Sequence, residues 1–160
     1  MTAINKGRKT VKNDRDLVVF LVGARVNKWW LLPLSLPILA RMRKMQKELL
    51  ADPESGLLGI QSFGSADVQY WQSMEHLMAY ADDKRREHQP AAKKFYQKLF
   101  RNESVGIWHE AYFVQAGNYE CLYVNMPPLG LGKVGPVVPA EGALASARGR
   151  LQGHQRTDAA

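Results

Sequence analysis

The apolar positions fall into short blocks with changing period. Leu17-Val-Val-Phe-Leu-Val22 is β-branched and apolar, which predicts a strand buried at its start and continuing through Gly23 and Val26 to Asn27. A glycine inside a strand predicts a kink or the close approach of another group. From Trp29 to about Leu50 the period becomes helical: Ile38, Met42, Met45 and Leu49 form one stripe, with Arg41, Arg43, Lys44, Lys47 and Glu48 on the other positions. Pro33 and Pro37 should confine the regular helix to the residues after them or kink an early turn. Asp52-Pro-Glu-Ser-Gly56 is a stop and a turn.

Leu57–Phe63 and Val68–Trp71 read as strands joined through Gly64-Ser-Ala66, as a hairpin or a bulged single strand. Ser73 is placed to cap a helix carrying Met74, Leu77 and Ala81. Pro90 suits the first turn of another helix, with Ala91, Phe95 and Leu99 on its apolar side. Val105–Val114 is a long strand, Gln115-Ala-Gly-Asn118 a hairpin turn, and Tyr119–Met126 the predicted return strand. Residues 1–13 lack apolar periodicity and read as a loose arm; 133–160 read as a Gly/Pro-rich stretch and then a disordered basic tail. The predicted domain is therefore 14–132. Its order, β-α-β-β-α-β with the second helical region broken in two, predicts an α+β fold: a ferredoxin-like antiparallel sheet with helices on one face.

A chain of 160 residues with 46% hydrophobic and 23% charged residues is one ordinary globular domain by size, able to build a core. The net charge of +7 sits mainly at the ends. Residues 1–13 hold four bases and no acids, 133–160 four bases and two acids, and 14–132 fourteen bases and thirteen acids. Solvated basic ends, rather than a specific nucleic-acid face, follow from this. No apolar run is long enough for a membrane span. The lone Cys121 excludes an internal disulfide and fits a reduced, cytoplasmic setting; on an apolar strand it reads as packing rather than nucleophile.

Several motifs fail on context. Gly130-Leu-Gly132 opens no helix pattern, no Gly-x-Ser-x-Gly elbow exists, and His76 and His88 are too isolated for a metal claim. The candidate chemistry lies on the strands. Alternation places Ile107, His109, Ala111 and Phe113 on one face, and Trp108, Glu110, Tyr112 and Val114 on the other. An imidazole and a carboxylate inside an apolar strand are costly unless paired or useful. His109 reads either as a satisfied core histidine or as a base, acid or ligand in a cavity; Glu110 reads as a rim or subunit-contact residue, or as its partner. Arg25 ends the apolar row of Leu17, Val19 and Leu21, where it can orient a carbonyl, carboxylate or enolate or simply reach water. Asn27, Trp30, Tyr70, Trp71, Trp108, Tyr112 and Asn125 are candidate substrate contacts, with the aromatic members fitting equally a plain core.

The runs VVFLVGARVNKWW (18–30), ELLADPESGLLG (48–59), VQYWQSMEHLMAYA (68–81) and VGIWHEAYFVQAGNYECLYVNMPPLGLGK (105–133) resemble a monooxygenase-like family of unknown function. That family is related to the antibiotic biosynthesis monooxygenases of the dimeric α/β-barrel superfamily. The resemblance covers about residues 14–133 and implies a homodimer in which two sheets pack their open faces together, with a pocket between sheet and helices in each subunit. It also implies cofactor-independent oxygenation of a small, apolar, enolisable or aromatic metabolite of polyketide type by O2. His109 would act as base, with Arg25, Asn27 and Trp30 or Tyr70 as donors to the developing oxyanion and Glu110 as a further catalytic residue. Alternatives within the superfamily are a haem-binding dehydratase or haem-degrading enzyme using His109, and a non-oxidative cyclase or isomerase using His109 and Glu110.

Overall fold

The structure is a computed structural model and describes residues 3–83, 93, 97 and 103–155. The helix expected after Pro90, with Phe95 and Leu99, lies outside the described residues, as does His88. The chain divides into two compact units: one runs from Val19 to Ala111, and the other comprises the chain up to Val18 and from Tyr112 onward.

The Val19–Ala111 unit is built on the strands β2 (Leu17–Val26), β3 (Leu57–Phe63), β4 (Ala66–Trp71) and β5 (Val105–Val114), in the order β3-β4-β2-β5. β2 and β5 run on at their ends into the other unit. The helices α1 (Leu32–Ala51) and α2 (Met74–Asp82) intervene in the chain after β2 and β4. This order of elements and strands is the ferredoxin-like arrangement, so the predicted fold class holds. The 57–71 region is a hairpin: Phe63 pairs with Ala66, leaving a two-residue loop in which Gly64 has a φ of 64°. A left-handed first loop residue matches the twist of the flanking strands.

α1 starts earlier than its prolines suggest. A 3-10 turn at Trp29–Leu31 leads into it, and Pro33 sits in its first turn, where the missing N–H is an orphan in any case. Pro37 is inside the helix and removes only one intrahelical bond. Met42 and Met45 are half-buried and Leu49 is buried, as the stripe predicts, and Gln46 Nε2 donates to the buried Asp67 carboxylate on β4. Ser73 caps α2, its hydroxyl accepting from His76 N at 3.4 Å. Leu77 and Tyr80 point into the core, where Tyr80 packs on Trp71 with ring centroids 6.0 Å apart.

The other unit corrects the reading of both chain ends. Residues Asn5–Val11 form β1, the middle strand of a second sheet of order β6-β1-β7, with β6 at Tyr123–Met126 and β7 at Val137–Pro139. The return strand is thus shorter than expected and does not pair with β5: Lys9 pairs with Tyr123 on one side and with Pro139 on the other. Residues before β6 are tied to β1 through side chains. Thr10 Oγ1 donates to the Cys121 carbonyl at 2.8 Å, and Cys121 Sγ accepts from Val11 N at 3.4 Å. The Gly/Pro-rich stretch contains β7, and the part read as a disordered tail contains α3 (Ala147–Gln155). Buried Arg150 fixes it by an ion pair to Glu120 and by bonds from Nη1 to the Leu144 and Ala145 carbonyls at 3.0 and 3.2 Å. Composition and missing periodicity concealed these ends because ladder bonds, isolated buried residues such as Val11 and Ala140 and one buried guanidinium, rather than a regular apolar stripe, hold them.

Candidate active site

The chemistry-bearing residues converge on the neighbouring strands β2 and β5, and two close approaches define one face of that pair. The Trp108 indole lies over Gly23, where an ideal Cβ would stand 2.6 Å from Nε1. The Asn27 amide lies over Gly106, with Nδ2 3.5 Å from the corresponding Cβ position. Since side chains alternate along a strand, Arg25 projects on this face between Gly23 and Asn27, and Glu110 projects beside Trp108. The close approach expected at Gly23 is therefore present, and the incoming group is an aromatic ring.

Asn27 is fixed at the end of β2. Its N–H donates to the Ser104 carbonyl at 2.9 Å and its Nδ2 to the Glu103 carbonyl at 3.2 Å. Glu103 has a φ of 56°, a left-handed conformation that costs a non-glycine residue about 1–2 kcal/mol. The Asn27 bond and the Lys28 ammonium, 3.8 Å from the Glu103 carboxylate, hold it there. This strained corner was not visible in the sequence, which carries no glycine at 103 to signal a turn.

The opposite face of the pair carries His109. Its ring sits 5.5 Å from that of Phe20 at a 35° tilt, and both His109 and its face-mate Ile107 are exposed. The imidazole and the Arg25 guanidinium therefore do not share one wall: alternation puts them on opposite sides of the sheet. Alternation likewise divides His109 from Glu110, adjacent in sequence.

The remaining candidates are dispersed. Trp71 is fully buried, donates from Nε1 to Gln69 Oε1 at 3.0 Å and packs on Tyr80, so it is core and offers no surface to a ligand. Tyr70, next to it on β4, is half-buried. Trp30 is exposed and meets Trp29 edge-on at 5.9 Å. Tyr112 is half exposed and opens the second unit. Asn125 belongs to that unit too, with a φ of 52° and its Oδ1 accepting from Gly7 N at 2.8 Å, which is a structural role. Among the described residues, no group of three or more His, Cys, Asp or Glu could hold a metal ion, and no helix is long and apolar enough to cross a membrane.

Sheet order and a chemistry-bearing strand pair define an α+β protein of ferredoxin-like topology. The chain belongs to the Monooxygenase af470-like family, whose model matches residues 17–131, and with that family goes a monooxygenase-like function in general terms. No curated protein matches the chain. Among solved structures, it is similar to a conserved protein of unknown function from Bacteroides thetaiotaomicron VPI-5482, described as a possible oxidoreductase. The two are 13% identical, the match covers 63% of this chain and 99% of that one, and the TM-score is 0.44. It is also similar to a dimeric protein of unknown function and ferredoxin-like fold from Bacteroides fragilis NCTC 9343. There the identity is 16%, the coverage 61% and 95%, and the TM-score 0.42.

Proposed function

We propose that this protein is a cofactor-independent monooxygenase-like enzyme that oxidises a small, apolar, enolisable or aromatic metabolite on the Trp108–Gly23 face. The observation that carries this reading is the position of Arg25. By strand alternation its exposed side chain falls on the face where an indole covers Gly23 and Asn27 is anchored, and the exposed Glu110 falls on the same face. A flat apolar substrate is matched by the indole, the guanidinium supplies donors to a developing oxyanion, and the carboxylate is the base.

In this mechanism Glu110 takes a proton from a C–H or O–H of the substrate while Arg25 stabilises the enolate. The enolate electrons pass to O2, and one oxygen atom bonds to carbon as a hydroperoxide. Loss of water then leaves a carbonyl. One oxygen atom stays in the product and the other leaves as water, so the substrate is the only reductant required. His109 lies with Phe20 and Ile107 on the other face, and a second copy of the chain packing over that exposed row makes it a contact of a homodimer. A reduced, cytoplasmic setting accords with the single cysteine.

Oxygen uptake by the full chain with a panel of enolisable phenols and 1,3-diketones tests the reading. The expected result is uptake with gain of one oxygen atom in the product, unaffected by chelator. Arg25→Met and Glu110→Gln should abolish it and His109→Ala should retain it. Uptake that requires added haem, with a Soret band lost in His109→Ala, would move the chemistry to the other face. Turnover without gain of oxygen would make the enzyme an isomerase or cyclase, and no turnover with any member of the panel would end the proposal.

A further inference from the structure

Helix α1 carries a surface that neither the core nor the proposed chemistry uses. Its Met42, Met45 and Leu49 stripe and Gln46 hold it against the rest of the unit. The opposite positions Leu32, Leu36, Ala40, Arg43 and Lys47, spaced by four, four, three and four, are all exposed. At the start of this stripe Trp29 and Trp30 are 77% and 60% exposed, and Leu36 is 54% exposed. Pro33 and Pro37, also exposed, fill the same end. The apolar half of the stripe thus gives way to a basic half one to two turns further on.

The charge around it is mainly basic, with Glu103 paired to Lys28 and Glu48 following Lys47. From Leu17 to Lys47 the chain has six bases (Arg25, Lys28, Arg41, Arg43, Lys44 and Lys47) and no acid. Isolated exposed apolar residues are ordinary on a soluble protein, but two adjacent indoles continuous with leucines and prolines form a patch that normally meets a partner. Indoles favour the boundary between lipid headgroups and acyl chains, leucine favours the layer beneath, and long basic side chains extend their charge to the headgroups. Bases without intervening acids match a negatively charged partner.

We infer that the Trp29–Lys47 face of α1 docks on the surface of a bilayer containing anionic lipid, lying in the interface rather than crossing it. Trp29, Trp30, Leu32 and Leu36 enter the headgroup boundary, and Arg43 and Lys47 meet the phosphates and carboxylates. Each base held near such a surface raises partitioning about fivefold. The inference is independent of the proposed reaction, since none of these side chains is placed in it.

Flotation of the full chain with vesicles tests this, using phosphatidylcholine alone and phosphatidylcholine with about one third phosphatidylserine. The expected result is flotation with the anionic vesicles only, with a blue shift of tryptophan emission that is absent in Trp29→Ala/Trp30→Ala. That pair and, separately, Arg43→Glu/Lys47→Glu should each lower the bound fraction more than about tenfold, and about 0.5 M salt should weaken binding of the native chain. Unchanged melting of the charge-reversal pair keeps the test valid even if the double tryptophan variant unfolds. Absence of flotation, or equal flotation with neutral vesicles, overturns the inference. Self-association that is lost in Trp29→Ala/Trp30→Ala overturns it as well, because the occupant is then a second copy of the chain.

Discussion

The indole of Trp108 occupies the space that a side chain at Gly23 would need: an ideal Cβ there would lie 2.6 Å from Nε1 and 2.9 Å from Cε2. Gly23→Ala must therefore displace the ring or the strand. Overpacking of this kind costs about 1–3 kcal/mol, to be read from urea unfolding. A smaller residue at 108 frees the space, so Gly23→Ala should cost less in a Trp108→Leu background than in the native one. The coupling energy of that double-mutant cycle is the measurement that checks the contact.

Arg150 in α3 is 4% exposed and donates from Nε to Glu120 Oε1 at 2.6 Å as well as pairing through Nη2. Glu120→Gln leaves a buried guanidinium with a neutral acceptor and should destabilise the chain by about 1.5–3 kcal/mol, the range for hydrogen bonds to charged groups. Limited proteolysis should cut first within residues 141–155 of that variant, because the same guanidinium holds the Leu144 and Ala145 carbonyls.

Tyr119 links the pH response to the β1 segment. Its hydroxyl donates to the Val11 carbonyl at 3.0 Å and accepts from Asn13 N at 2.5 Å. Burial pushes its phenol above the usual value of 10.0, outweighing the opposing bond from Asn13. The folded state therefore keeps its proton to higher pH than the unfolded chain. This stabilisation is complete below about pH 10 and is lost as pH rises through the folded-state value. Chemical denaturation between neutral and strongly alkaline pH should show a fall in stability that Tyr119→Phe reduces.

Ser73 caps α2 through His76 N, and its Oγ lies 3.0 Å from His76 Nδ1. Replacement by alanine should cost about 1 kcal/mol. Glu75, in the first turn, has its carboxyl held below its ordinary range, first by the Ser73 hydroxyl and then by a backbone bond. A depressed carboxyl contributes above its unfolded-state value and loses that contribution as pH falls through the folded one. The gap in melting temperature between the native chain and Ser73→Ala should thus be wider at neutral pH than in acid.

Periodicity made the central strands and the two helices legible, because burial of one face imposes spacing on the residues themselves. The Val105–Val114 strand, the Met42–Met45–Leu49 stripe and the Ser73 cap all agree with their sequence signals. Alternation along β5 agrees with Trp108 lying over Gly23 and His109 against Phe20. What escaped were relationships between distant segments. No local signal tells that Lys9 pairs with Pro139, that Arg150 seeks Glu120, or that the strand after the Gln115–Asn118 turn pairs away from β5. The grouping of His109 with Arg25 failed for the same reason: each strand's alternation is readable alone, but the relative phase of two strands is set only by their pairing, here marked by Trp108 on Gly23 and Phe20 on His109.

The central place of β1 between β6 and β7 has a kinetic corollary. Its ladder partners lie more than a hundred residues downstream, so β1 waits, unpaired, until residues 123–139 have been synthesised. The Val19–Ala111 segment meets no such delay and is positioned to fold while synthesis continues. Closure of the second sheet then follows folding of that segment, and chains stalled before residue 123 would expose an orphan edge that quality-control machinery can recognise.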